Sequence, residues 1–189
     1  MKPEDITKTL TELFDAAAIE ATAPGLWQVE TTQMRLLVLL SDDGSWLRVL
    51  LPIAPAQEAQ PFVEYLLEAN FDDTQETRYA LNQGVLWGVF QHNLESLNVE
   101  DFSGAIARLI SLHQTGLSDS FNQLVESRIS QIILAAKQQG QSLEATLQTL
   151  DRFYEEGLMG DLDLPPEARE EVLAAWRRQL ERLWPEIEP

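Results

Sequence analysis

Apolar residues recur at steps of three and four from Asp5 to about Ala21, through Ile6, Leu10, Leu13, Phe14 and Ala17, which is the period of one helical face. The stretch reads as a first amphipathic helix. Ala23-Pro24-Gly25 breaks the pattern, because proline disfavours helix in the residue before it and glycine loosens the backbone. Strand-like runs follow at Leu26 to Thr31, Met34 to Leu40 and Ser45 to Ile53, the last two joined by the hairpin turn Asp42-Asp43-Gly44. Pro52, Pro55 and Pro61 bracket a connection, and Pro61 suits the first turn of a short helix that buries Phe62, Tyr65, Leu66 and Ala69. Two more strands, Arg78 to Leu81 and Val85 to Gln91, flank the turn Asn82-Gln83-Gly84. Asn98 stands three residues before Asp101, placed to cap a helix that carries Phe102, Ile106, Leu109, Ile110 and His113 and ends at Gly116.

Beyond residue 117 the pattern changes in kind. Ser118 to Lys137, Ser142 to about Leu158, and Pro165 to about Ile187 each show helical periodicity, with stripes at Leu124, Ile132 and Ile133, at Leu143, Leu147 and Leu150, and at Val172, Trp176, Leu180, Leu183 and Trp184. No strand signal appears there. The expected fold class is therefore α+β: an αβββαββα core with an antiparallel sheet over residues 1–117, followed by an all-helical extension over 118–189, packed on the core or projecting from it.

The strands are apolar on both sides. A sheet with one wetted face alternates apolar and polar residues, but Leu37 and Leu39 lie opposite Met34, Leu36, Val38 and Leu40. Likewise Trp46, Arg48 and Leu50 oppose Leu47, Val49, Leu51 and Ile53, and Val85, Trp87 and Val89 oppose Leu86 and Phe90. Helices of the core can cover one face. The second needs a cover of its own, supplied by the C-terminal helices, a second copy of the chain, or a client polypeptide. Leu37, Leu39, Leu50, Val89, Trp46 and Trp87, with Arg35 and Arg48 at the rim, are the candidate partner-binding residues, the tryptophans as anchors. Simple core packing is the competing account of both tryptophans.

Composition narrows the function. The 189 residues hold 31 acids against 13 bases, a formal charge of −18, so no large basic face is available for a nucleic acid or an anionic membrane. At 44% hydrophobic and 23% charged the chain is nonetheless an ordinary folding sequence. It has no cysteine, which excludes disulfides, thiolate catalysis and Cys-ligated metal. Without a signal-like N-terminus or an apolar run of membrane length, a cytoplasmic protein is expected.

The element order and the stretch from LLEANF (Leu66 to Phe71) through Asn82-Gln83-Gly84 and Asn93-Leu94-Glu95-Ser96-Leu97 to the helix after Asn98 resemble the type III secretion chaperone-like fold, which takes in CesT/Tir chaperones and YbjN-like proteins, over roughly residues 4–116. The resemblance implies a small acidic chaperone, dimeric in the family, that holds an extended segment of a client protein without a cofactor and without covalent chemistry. The helical tail departs from the usual shorter chaperone.

Candidate chemistry beyond binding is sparse. His92 and His113 are the two histidines, and no nucleophile elbow, zinc-protease helix or phosphate-binding loop is present. No catalytic set, metal centre or cofactor is assigned, and any two of the acids could still meet as an acid–base pair. The acidic groups Asp42 and Asp43, Asp72, Asp73 and Glu76, and Asp161 and Asp163 support an alternative expectation of a calcium-binding or metal-responsive protein, although none has the EF-hand spacing. The leading expectation is a non-enzymatic chaperone or assembly factor that holds a partner segment, its acidic exterior favouring basic clients.

Overall fold

The computed structural model describes residues 1–155 and 166–188. The chain divides into two compact units, Met1–Phe121 and Asn122–Pro189.

The first unit opens with helix α1 (Pro3–Leu13), which starts on a proline and carries Glu4 and Asp5 in its first turn, where negative charge is favoured. It ends eight residues before the expected Ala21. Phe14 is already extended, a three-residue 3-10 turn follows at Ala16–Ala18 with the Asp15 carboxylate accepting from the Ala17 N–H, and the chain enters strand β1 (Ile19–Ala23). The next strands are β2 (Leu26–Glu30), β3 (Arg35–Leu40) and β4 (Trp46–Pro55). A one-turn helix α2 (Ala56–Ala59) and a 3-10 turn lead into α3 (Val63–Asp72). The hairpin β5 (Thr77–Asn82) and β6 (Val85–Asn93) then precedes α4 (Val99–Thr115), capped by the Asn98 side chain, which accepts from the Asp101 N–H. Gly116 closes α4 at φ 58°, a left-handed conformation that suits glycine.

The α+β class is as expected, but the antiparallel sheet has six strands, ordered β1-β2-β3-β4-β6-β5, rather than five. A second difference concerns Pro52, which lies inside β4 rather than in the connection after it. Pairing between β3 and β4 ends at Leu37 opposite Leu50, so Pro52 occupies a part of β4 with no neighbour on that side, where a missing N–H costs no ladder bond. A bulge between Pro52 and Ala54 follows.

The core lies on one face of the sheet. Trp27, Val29, Leu36, Val38, Leu47, Val49, Leu51 and Phe90 are buried there against Ile6 and Leu10 of α1 and Phe102, Ala105, Ile106 and Leu109 of α4. The buried Trp27 indole is satisfied by donating to the Thr7 hydroxyl of α1 at 2.9 Å. Helix α4 approaches closely at Gly88, where an added Cβ would stand 3.0 Å from Leu109, so only glycine lets helix and strand meet without displacement. A smaller cluster of Ala59, Leu66 and Leu86 seats α2 and α3 at the β5–β6 end.

The second unit is helical. Helix α5 (Ser118–Gln138) carries the division between the units, and α6 (Leu143–Glu155) and α7 (Pro166–Leu183) complete it. Ile129, Ile133, Leu150, Leu180 and Leu183 form its core, with Trp176 and Trp184 packed against them. The Lys137 ammonium donates to the carbonyls of Trp184 (2.7 Å) and Ile187 (2.5 Å), neutralising the carbonyl end that follows α7. No described helix is long and apolar enough to cross a membrane.

Candidate protein-binding face

Strand register settles which side chains share a face. Leu37 stands opposite Leu50 and Leu39 opposite Arg48. Leu50 stands opposite Val89, Arg48 opposite Gln91, and Pro52 opposite Trp87. Partners in an antiparallel ladder point the same way, and residues two apart along a strand do too. Leu37, Leu39, Trp46, Leu50, Trp87, Val89, Arg35 and Arg48 therefore lie on one face, the reverse of the face that carries the core.

The helices of the first unit, α1, α2, α3 and α4, pack on the core face. On the reverse face Leu37, Leu39, Trp46, Leu50 and Trp87 are half-buried, and Val89 at the centre is 6% exposed. At the β3–β4 hairpin end, Leu39, Trp46, Arg48 and Leu50 border a shallow concavity of about 510 Å³. The Arg48 guanidinium lies 4.8 Å from the centre of the Trp46 ring and donates to the Gln91 carboxamide at 2.9 and 3.2 Å. That stacking fixes the indole's orientation while leaving its edge to the concavity. Arg35 is at the other end of β3 and exposed, and its guanidinium grips the Glu30 carboxylate at 2.8 and 3.0 Å. The pair holds Glu30 below the usual carboxylate range, chiefly through the hydrogen bond from Arg35. Arg35 and Arg48 thus mark opposite ends of the face rather than one rim.

The concavity's polar side is the hairpin itself. Asp43 accepts hydrogen bonds from the Ser41 and Ser45 hydroxyls at 2.6 and 2.7 Å and from the Ser45 N–H at 3.0 Å, which lowers its pKa to about 2. This carboxylate is a turn-former. The calcium alternative finds no support in the geometry: among the described residues no three acidic or histidine side chains converge as a cation site, and Asp161 and Asp163 lie outside the described residues.

Neither histidine sits in catalytic company. His92 stacks on Phe90 with ring centres 5.9 Å apart and has its Nδ1 2.8 Å from the Asn93 carbonyl. The His113 ring lies between the carbonyls of Pro52 (Nδ1, 2.7 Å) and Gln33 (Nε2, 3.2 Å), where it ties α4 to β4 and to the turn before β3. An open depression of about 550 Å³ beside it is lined by Thr31, Thr32, Gln33, Met34, Ile110 and Gln114, none of them titratable.

Two features escape a reading of the sequence. Asn70 of α3 donates from its Nδ2 to the Tyr79 carbonyl (3.1 Å) and accepts from the Tyr79 N–H (2.7 Å), so a side-chain amide fills the free border of β5 as a neighbouring strand would. Leu67 and Phe71, one turn apart on α3, are 63% and 87% exposed. Their signal was present in the spacing: both fall off the stripe defined by Leu66 and Ala69.

No family model matches the chain, and no curated protein does. Among solved structures it is similar to the ExsC–ExsE complex, at 12% identity and a TM-score of 0.47, over 61% of this chain and 97% of that one. It is also similar to the heterodimeric ExoU–SpcU complex from the type III secretion system of Pseudomonas aeruginosa, at 13% identity and a TM-score of 0.47, over 60% and 95%. A third is the Yersinia pestis type III secretion chaperone SycH in complex with a stable fragment of YscM2, at 17% identity and a TM-score of 0.45, over 60% and 97%. At these values the likeness is one of chain arrangement.

Proposed function

We propose that this protein is a non-enzymatic holder of polypeptide, which lays an extended segment of a partner protein against the reverse face of its sheet. The observation that carries this reading is the gathering of Leu37, Leu39, Trp46, Leu50, Trp87 and Val89 on one face that no helix of the first unit covers. An extended segment presents alternate side chains to such a surface, so its apolar residues would meet the leucines and tryptophans while its own polar residues stay in water. Binding would be passive, with release by competition or mass action.

The test is suppression of aggregation. An unfolded reporter protein is diluted into buffer with the full chain or with a Leu37→Ser/Leu50→Ser variant, and light scattering is followed. The native chain is expected to suppress scattering stoichiometrically without nucleotide, and the variant is expected to lose that effect while keeping its far-UV circular dichroism. Equal suppression by a well-folded variant would refute the assignment to this face.

A further inference from the structure

We propose that the Asp43–Gly44 peptide is an aspartate-isomerisation site, which the Ser41 and Ser45 hydroxyls keep unreactive in the folded protein. This does not rest on the sheet-face reading. Asp43 is the one aspartate in the sequence followed by glycine, so no side chain shields the next backbone nitrogen. Both residues are exposed at the tip of the β3–β4 hairpin, and nothing lies within 4 Å of where a Cβ on Gly44 would stand. In the reaction that nitrogen attacks the Asp43 Cγ. The new N–C bond closes a five-membered succinimide, and the nitrogen's proton leaves with the carboxyl hydroxyl as water. A second water adds to the former main-chain carbonyl of Asp43 and breaks its bond to the nitrogen, which leaves isoaspartate with the chain running through Cγ. One water is released and one is consumed, so no co-reactant beyond solvent is needed.

The hairpin opposes each part of this step. Asp43 Oδ1 accepts from the Ser41 hydroxyl, the Ser45 hydroxyl and the Ser45 N–H at 2.6, 2.7 and 3.0 Å, which fixes the rotation of the carboxylate. Ring closure requires it to turn its carbon onto the Gly44 nitrogen. The same three bonds favour the ionised form and bring its pKa to about 2, and an ionised carboxylate has no hydroxyl to release. The attacking atom is engaged too, because the Gly44 N–H donates to the Ser41 carbonyl at 2.9 Å. Ser41 thus holds both reacting groups, the carboxylate through its hydroxyl and the nitrogen through its carbonyl. Isomerisation would lengthen the turn by one backbone atom where Ser41 and Trp46 pair. There the Ser41 N–H donates to the Trp46 carbonyl at 3.0 Å and the Trp46 N–H to the Ser41 hydroxyl at 3.1 Å, so the start of β4 would be unseated.

The test is the rate of isoaspartate formation at residue 43 in the full chain, at neutral pH and body temperature, read by isoaspartyl methyltransferase labelling and located by mass spectrometry of the digest. The folded chain is expected to react at least about tenfold more slowly than the same chain unfolded in guanidinium, because the hydrogen-bonded turn must open first. Ser41→Ala/Ser45→Ala, shown to be folded by circular dichroism, should react about fivefold or more faster than the native chain, whereas Ser41→Thr/Ser45→Thr, which keeps both hydroxyls, should stay slow. Ser41→Ala alone leaves two of the three bonds to Asp43, should fall between, and decides the case if the alanine pair does not fold. Folded and unfolded native chains reacting at one rate would overturn the proposal, as would folded alanine variants that stay as slow as the native chain. So would a threonine pair as fast as the alanine pair, because the hydroxyls would then not be what protects the site.

Discussion

The two faces of the sheet are built from the same residue types and end in different states. On the core face, Val29, Leu36, Val38, Leu47, Val49 and Leu51 are fully buried because α1 and α4 roof them. On the reverse face, Leu37, Leu39 and Leu50 are only half-buried. Leucine on a strand is therefore not by itself a core signal. What differs is the third dimension: a helix above supplies dispersion contacts and excludes water, whereas adjacent side chains shield only flanks. One face stabilises the protein, and the other keeps apolar surface in reserve.

Mutations should separate the faces by energy. Phe90→Ala, at 1% exposure on the core face, is expected to cost about 3–5 kcal/mol in urea unfolding, enough to unfold a marginal domain. Asn70→Ala removes both partners of Tyr79 at the β5 border and should cost about 1–2 kcal/mol, at the lower end for a partly buried site, with faster amide exchange at Tyr79. Leu50→Ala on the reverse face should cost about 1 kcal/mol or less, while Leu37→Ser/Leu50→Ser abolishes holding of the reporter. A Leu50→Ala cost equal to that of Leu47→Ala would erase the distinction between the faces. Arg48→Gln should shift stability by no more than about 0.5 kcal/mol yet change the emission of Trp46, on which the guanidinium stacks.

The smallest effect is a pH dependence confined to the hairpin. Asp43 titrates near 2 when folded, below its ordinary value of 3.8, because the Ser41 and Ser45 hydroxyls and the Ser45 N–H favour the carboxylate. Its contribution is complete above about pH 4 and is lost as the pH falls towards 2. Carbon-detected NMR titration should place the midpoint near 2, and Ser41→Ala should raise it.

The reverse face was legible before any coordinates because strand periodicity is fixed at two residues, so eight side chains could be assigned to one side from their order alone. Strand β1 was not legible. Its residues are mostly exposed, so no buried period marks it, and Ala16, Ala17 and Ala18 extend the helical pattern of α1 in composition while Phe14 has already left it in backbone. The links through His113 to Pro52 and through Asn70 to Tyr79 were invisible for another reason. Each joins a side chain to a backbone group of a different element, and no spacing rule encodes such a meeting. The pairing of Arg35 with Glu30 was not visible either, because it depends on the register between β2 and β3.

The amide that occupies the outer border of β5 has a topological consequence. Ribbon-to-ribbon growth needs two open margins per subunit, one to receive and one to offer. With one margin plugged at mid-length, chains meeting through their remaining margins at β1 would stop at a closed pair. Such a plug would keep growth through the sheet borders from running on in both directions.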